Sequence, residues 1–163
     1  MFNLEIQTLA RLLVDEARQR SLRIVTAESC TGGLVAGAIC NVSGASDVFE
    51  RGFVTYNNRA KQELLGVPGE LIADLGAVSE PVARMMAEGA LENSNAHLAV
   101  AITGVAGPNG GTRLKPVGTV HIATARTNHG LQHKQEFFQY ETRSEIQLAA
   151  VQSALQMMMD RLV

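Results

Sequence analysis

Ser29 and Thr31 are the best-placed chemical groups in this chain of 163 residues. They lie in Thr26-Ala27-Glu28-Ser29-Cys30-Thr31-Gly32-Gly33, which follows the apolar strand pattern Leu22, Ile24, Val25. The segment leads into small and apolar residues with helical character: Leu34, Val35, Ala36, Ala38 and Ile39. A hydroxyl at a strand-to-helix turn stands above the sheet and faces the positive end of a helix dipole. Enzymes of the α/β class place nucleophiles or anion-binding loops there. The competing reading is that Ser29 or Thr31 only caps the helix. Cys30 rivals Ser29 as a nucleophile, because a helix N-terminus can acidify a thiol. Neighbours at such a turn point in different directions, so one of the two is expected to face the pocket. Cys40, inside the following helix, reads as a small core residue.

A serine hydroxyl is a poor nucleophile until a base removes its proton. No histidine lies near Ser29 in sequence, which makes Lys61, five residues after Tyr56, the candidate base. It could serve only if desolvation or a neighbouring cation lowered its pKa toward neutrality. Tyr56 would then relay a proton or hold the lysine. An isolated helical lysine has a plainer reading as part of a solvated face.

Residues 104–111, Gly-Val-Ala-Gly-Pro-Asn-Gly-Gly, follow Thr103 and are rich in glycine. They lack the GxGxxG spacing, a helix directly after, and GxxxxGK[ST], so a dinucleotide or triphosphate cradle is a poor match. Their glycines still let backbone N–H groups approach a substrate carbonyl or phosphate. The alternative is a mobile connection between two strands. His129 and His133 flank a hairpin, His97 and His121 lie in or beside strands, and HExxH is absent. Neither a metal nor a cofactor is expected.

The elements that must position these groups follow from periodicity and turn chemistry. Residues 2–20 carry Ile6, Leu9, Leu13 and Ala17 at helical spacing. Strand 22–27, helix 33–42, a turn-rich break at 41–46 and strand 49–56 come next. Helix 57–65 stops at Gly66, a C-cap signal, and 68–75 forms a short helix. Ser79-Glu80-Pro81 starts a helix that runs to residue 93. The near-continuous apolar run 97–103 fits a central strand covered on both faces. Strands 117–126 and 131–140 alternate around a hairpin turn at 127–130. Thr142-Arg143-Ser144-Glu145 is a capping box that opens a last helix, with Ile146, Ala150, Val151, Ala154, Leu155, Met158 and Leu162 on one side. The order predicts an α/β fold: a three-layer α/β/α sandwich on a mixed, mostly parallel sheet with a late antiparallel hairpin, as one domain over 1–163.

Bulk properties narrow the function classes. A chain this long with 46% hydrophobic residues can bury a substantial core. The net charge is −2 and aromatic residues make up 4%, which removes both the basic stripe and the stacking platform of a nucleic-acid binder. Two cysteines without CxxC or Cys/His spacing suggest a reducing compartment. No apolar run reaches membrane-spanning length, and residues 2–20 are amphipathic rather than a signal peptide. The expectation is a cytoplasmic, soluble protein without a membrane partner. Apolar terminal helices suggest a homo-oligomer.

TAESCTGG, FERGFVTYNNRAKQELLGV, AVSEP and TGVAGPNGGTRLKPVGTV together closely resemble the CinA C-terminal domain family, the nicotinamide-nucleotide amidohydrolases. The resemblance covers nearly the whole chain, with the motifs in order and at family spacing. Larger members carry an extra N-terminal domain, so this chain resembles the stand-alone, bacterial form. The resemblance implies hydrolysis of the carboxamide of nicotinamide mononucleotide to nicotinic acid mononucleotide and ammonia, without a metal. It places the family's catalytic serine on Ser29, its threonine on Thr31, its tyrosine on Tyr56 and its lysine on Lys61. Gly32, Gly33, Thr103, Gly104, Gly107 and Arg59 are expected to bind substrate. Arg59, Arg113 and Lys115 are the candidate phosphate contacts. Cys30 and Thr31 amides, or amides at 104–107, are candidate oxyanion donors. The runner-up is a non-catalytic pyridine-nucleotide-binding or regulatory domain, since fold does not fix function. A third reading is an amidase for another small amide.

Overall fold

A computed structural model describes residues 1–163. Five strands form one sheet in the order β2-β1-β3-β4-β5. They are β1 (Ile24–Glu28), β2 (Phe49–Val54), β3 (Leu98–Gly104), β4 (Thr119–Arg126) and β5 (Gly130–Phe137). β1 pairs in parallel with β2 and β3, and β4 runs antiparallel to both its neighbours. Four strands therefore share one direction, and the hairpin at the end reverses only β4. This is the mixed sheet that the sequence predicts.

Six helices cover the sheet: α1 (Leu4–Gln19), α2 (Leu34–Cys40), α3 (Asn58–Leu65), α4 (Gly69–Leu75), α5 (Glu80–Glu92) and α6 (Arg143–Asp160). Alternate residues of each strand feed two separate cores. Ile24, Val100, Ile102, Val120 and Ile122 join α1, α2 and α6 in one. Val25, Ala27, Ala99, Ala101, Ala123 and Ala125 join α3, α4 and α5 in the other. Small side chains dominate the second face, so α5 packs close. Gly89 lets α5 meet the end of α3 as well, since a Cβ there would stand 1.9 Å from the Leu65 carbonyl oxygen.

Among the boundaries that differ from the sequence expectation, three have a clear local reason. β2 ends at Val54, because Thr55 N–H closes the last bond to the Glu28 carbonyl and Asn57 already caps α3 through Ala60 N–H. That leaves Tyr56 in a free connection rather than in a strand. β4 starts at Thr119, because Gly118 has φ +97° and sits against the Phe138 carbonyl, leaving no room for a side chain. α2 starts at Leu34, because Gly32 and Gly33 adopt φ +54° and +99° in the turn before it. Gly66 ends α3 in the left-handed conformation, and Thr142 with Glu145 forms the capping box of α6.

Candidate active site

The carboxyl ends of β1 and β3 open into a cleft of about 290 Å³, roofed by the β3–β4 loop. Such edges are where open α/β sheets bind ligands. Ser29, the first residue after β1, lines it, with its N–H bonded to the Ile102 carbonyl of β3. The parallel register puts Thr55 beside Glu28, so the β2–α3 connection passes next to Ser29. Lys61, one turn into α3, reaches back under that connection. Its Nζ lies 2.9 Å from Ser29 Oγ and donates to the Thr55 carbonyl at 2.7 Å.

Lys61 is the largest wholly buried side chain of the protein, at 1% exposure. No carboxylate lies within ion-pair distance of it, and burial lowers its pKa to about 8. A neutral Lys61 can accept the Ser29 proton along the existing contact. Cys30 also borders the cleft, but burial pushes its thiol up to about 12, with the Glu28 carboxylate adding to the shift. At neutral pH it is a thiol, the reverse of the acidified cysteine that its place in sequence allows.

Tyr56 lines the mouth of the cleft and is not hydrogen-bonded to Lys61. Its hydroxyl instead accepts a bond from Arg143 Nη2 at 2.5 Å, while Arg143 Nη1 donates to the Gly107 carbonyl at 2.6 Å. Arg143 thus ties the β2–α3 connection and the β3–β4 loop to the start of α6. Sequence reasoning saw Arg143 only as part of a capping box. One signal could have singled it out: a cation in the first turn of a helix opposes the helix dipole. Thr103, Gly104 and Gly107 line the cleft as expected, and Thr103 Oγ1 donates to the Ala77 carbonyl at 2.9 Å. Asn58 and Asn109, not anticipated, line it as well.

Other expected site residues lie elsewhere. Arg59 points to solvent and pairs with Glu63 one turn on, its side chain 83% exposed. Lys115 donates to the Leu75 carbonyl, and Arg113 is exposed away from the cleft. Gly32 and Gly33 shape the turn without lining the cleft. Thr31 is wholly buried, and its hydroxyl donates to Glu28 Oε1 at 2.7 Å. Glu28 therefore takes the positive end of α2: its oxygens accept from Val35 N–H at 2.8 Å and Ala36 N–H at 3.0 Å. The Cys30 and Thr31 amides donate to no other residue. No group of three or more His, Cys, Asp or Glu side chains is arranged to hold a metal ion. No helix is long and apolar enough to cross a membrane.

The fold has counterparts among solved structures. The competence/damage inducible protein CihA from Agrobacterium tumefaciens superposes with a TM-score of 0.97 at 47% identity, covering 98% of this chain and 97% of that one. A CinA superfamily protein from Escherichia coli superposes with a TM-score of 0.91 at 34% identity, covering 100% and 94%. In sequence, a CinA-like protein of Syntrophus aciditrophicus is 44% identical over 97% of this chain and 37% of its own length. Another from Akkermansia muciniphila is 58% identical over 72% of this chain and 28% of its own. The chain spans about a third of the length of the curated relatives it matches. The family model of the CinA C-terminal domain matches residues 6–162, and the chain belongs to that family.

Proposed function

We propose that the cleft hydrolyses the carboxamide of nicotinamide mononucleotide to nicotinic acid mononucleotide and ammonia, with Ser29 as nucleophile and Lys61 as base. The observation that carries this reading is the 2.9 Å contact between Ser29 Oγ and a lysine that burial makes readily deprotonated. A binding module has no use for a desolvated amine against a serine hydroxyl. The nicotinamide nucleotide is the substrate that the resemblance in sequence implies.

Neutral Lys61 takes the Ser29 proton as Oγ attacks the carboxamide carbon. The oxyanion so formed meets the unpaired amide of Cys30, a residue that lines the cleft. Protonated Lys61 then returns the proton to the leaving nitrogen, ammonia departs, and the acyl group remains on Ser29. Water, deprotonated by the same amine, attacks the ester, and Lys61 passes that proton to the departing Ser29 Oγ as the acid is released. Thr55 orients Lys61 throughout by accepting a second bond through its carbonyl. Arg143 is the only cation besides Lys61 that lines the cleft, and it supplies the countercharge for the substrate phosphate.

The test is ammonia release from nicotinamide mononucleotide by chelator-treated protein, alongside Ser29→Ala and Cys30→Ala. Release by wild type and Cys30→Ala, with a loss of at least about 1,000-fold in Ser29→Ala, is the expected outcome. Nucleotide binding without release from any of the three would instead favour a carrier or sensor.

A further inference from the structure

We infer that Glu28 and Thr31 are one positioning unit that holds the oxyanion-binding turn in place, and that Thr31 acts through Glu28 rather than on the substrate. The inference rests on Ser29 being the nucleophile, and reaches two groups that the reaction does not touch.

Glu28 is a fully buried carboxylate at the last position of β1, directly before Ser29. Its partners are all local: the Thr31 hydroxyl and the Val35 and Ala36 amides, at 2.7, 2.8 and 3.0 Å. Oε1 receives two of these bonds and Oε2 one. The side chain therefore reaches past the turn and grips both the middle of it and the first turn of α2. The backbone between these grips has one hold from outside, Gln147 Nε2 of α6 donating to the Cys30 carbonyl at 2.9 Å. Gly32 and Gly33 sit at positive φ, and α2 has no side-chain cap at its N-cap residue Gly33. Within the turn the only backbone bonds are Gly32 N–H to the Ser29 carbonyl and Leu34 N–H to the Thr31 carbonyl.

The Cys30 amide, left unpaired, directly follows Ser29 and belongs to a residue that lines the cleft. An oxyanion site works by having its donors aimed before charge develops, so a turn free to relax gives up much of its effect. Without its anchor, a turn of two positive-φ glycines has many conformations and turns this amide toward water or a neighbouring carbonyl. Thr31 itself cannot reach a bound substrate, because it is wholly buried, does not line the cleft and has its hydroxyl committed to Glu28.

The two side chains act through one structure, so their removal must be non-additive. Glu28→Gln keeps the shape but sets an NH₂ against donors that the second oxygen accepted. Thr31→Val removes the hydroxyl at constant volume, and Thr31→Ser restores it. The readouts are steady-state hydrolysis of nicotinamide mononucleotide and the rate at which an alkyl fluorophosphonate labels Ser29. Labelling reports the nucleophile and oxyanion site whatever the natural substrate is.

Expected for Glu28→Gln and Thr31→Val is a fall of about 10- to 100-fold in both kcat and labelling rate, below the full loss of a donor. KM should stay within about twofold, the pH midpoint set by Lys61 should not move, and Thr31→Ser should recover to within about threefold of wild type. The double variant should be no slower than the slower single one. Multiplying losses, a raised KM in Thr31→Val, or wild-type rates in Thr31→Val would each overturn the inference. Thr31→Val and Thr31→Ser decide it alone if Glu28→Gln does not fold. Labelled Ser29 without ammonia release would defeat the substrate assignment and leave this inference to the labelling rates. Absence of labelling in the wild type would defeat both.

Discussion

The proposed chemistry turns on one lysine that the fold has stripped of water. Lys61 has no carboxylate to hold its charge, so burial outweighs the small opposing influence of Cys30, and the pKa falls to about 8. The base must be neutral to act. The kcat/KM of the free enzyme should therefore rise with pH through a midpoint near 8 and level off above it, with about one molecule in ten competent at pH 7. Measuring kcat/KM from pH 6 to 9.5 checks this, and a plateau extending down to pH 6.5 would remove Lys61 from the base role. Lys61→Arg should not rescue activity, because a guanidinium does not deprotonate in this range. Arg143, the proposed phosphate contact, has two of its N–H groups spent on Tyr56 and Gly107. Arg143→Met should raise KM for nicotinamide mononucleotide roughly 10- to 100-fold, as expected for the loss of a charged contact. KM for nicotinamide riboside, which lacks the phosphate, should change far less, and equal effects on both would place the phosphate elsewhere.

The site is assembled by the ends of elements, and the cap of α6 is the clearest case. Thr142 accepts from Glu145 N–H at 3.2 Å while the Glu145 carboxylate accepts from Thr142 N–H at 3.0 Å. Of the two residues between them, this box fixes Arg143 at the cleft mouth. Thr142→Ala should cost about 1 kcal/mol, seen as a fall of roughly 2–4 °C in Tm, and should also raise KM in the same direction as Arg143→Met. A fall in Tm with KM unchanged would separate the cap from the site. The box itself is legible in the sequence, as are the helices and strands, because capping residues, glycine stops and apolar spacing are local signals. The site is legible only in part, because its contacts are not local. Lys61 meets Ser29 only because β2 lies beside β1, and no period in the sequence states that adjacency. Arg143 meets Tyr56 across 87 residues, whereas Arg59, close to the motif in sequence, falls on the outer face of α3. Thr31 reads as a second hydroxyl for catalysis until Glu28 is seen to hold it.

At the scale of the whole molecule, the sheet divides two cores, and the one beneath α5 encloses a polar pair far from the nucleophile in sequence. His121 of β4 and His133 of β5 stack with ring centroids 5.1 Å apart and share a bond of 2.9 Å between His121 Nδ1 and His133 Nε2. One nitrogen must donate and the other accept, so a proton on both breaks the bond. Glu80, at the start of α5, stands 3.5 Å from His133 Nδ1 and favours a charge there. Arg84 on the same helix opposes charge on His133, and Lys115 from the β3–β4 loop opposes it on His121. Burial is the largest influence on both imidazoles and lowers both pKa values. The unfolded chain therefore binds more protons than the folded one as pH drops below the ordinary histidine value near 6.5. The pair's contribution to stability is complete above that pH and is lost as pH falls through the lowered values. Wild-type urea midpoints should accordingly decline between pH 7.5 and 5. His121→Asn combined with His133→Gln should start lower at pH 7.5, having lost the stacked pair, but decline less steeply. Both variants keep Ser29, Lys61 and Arg143 untouched, so activity measured at pH 8 tells loss of the site from loss of the fold. Parallel declines for wild type and double variant would assign the acid sensitivity to carboxylates instead.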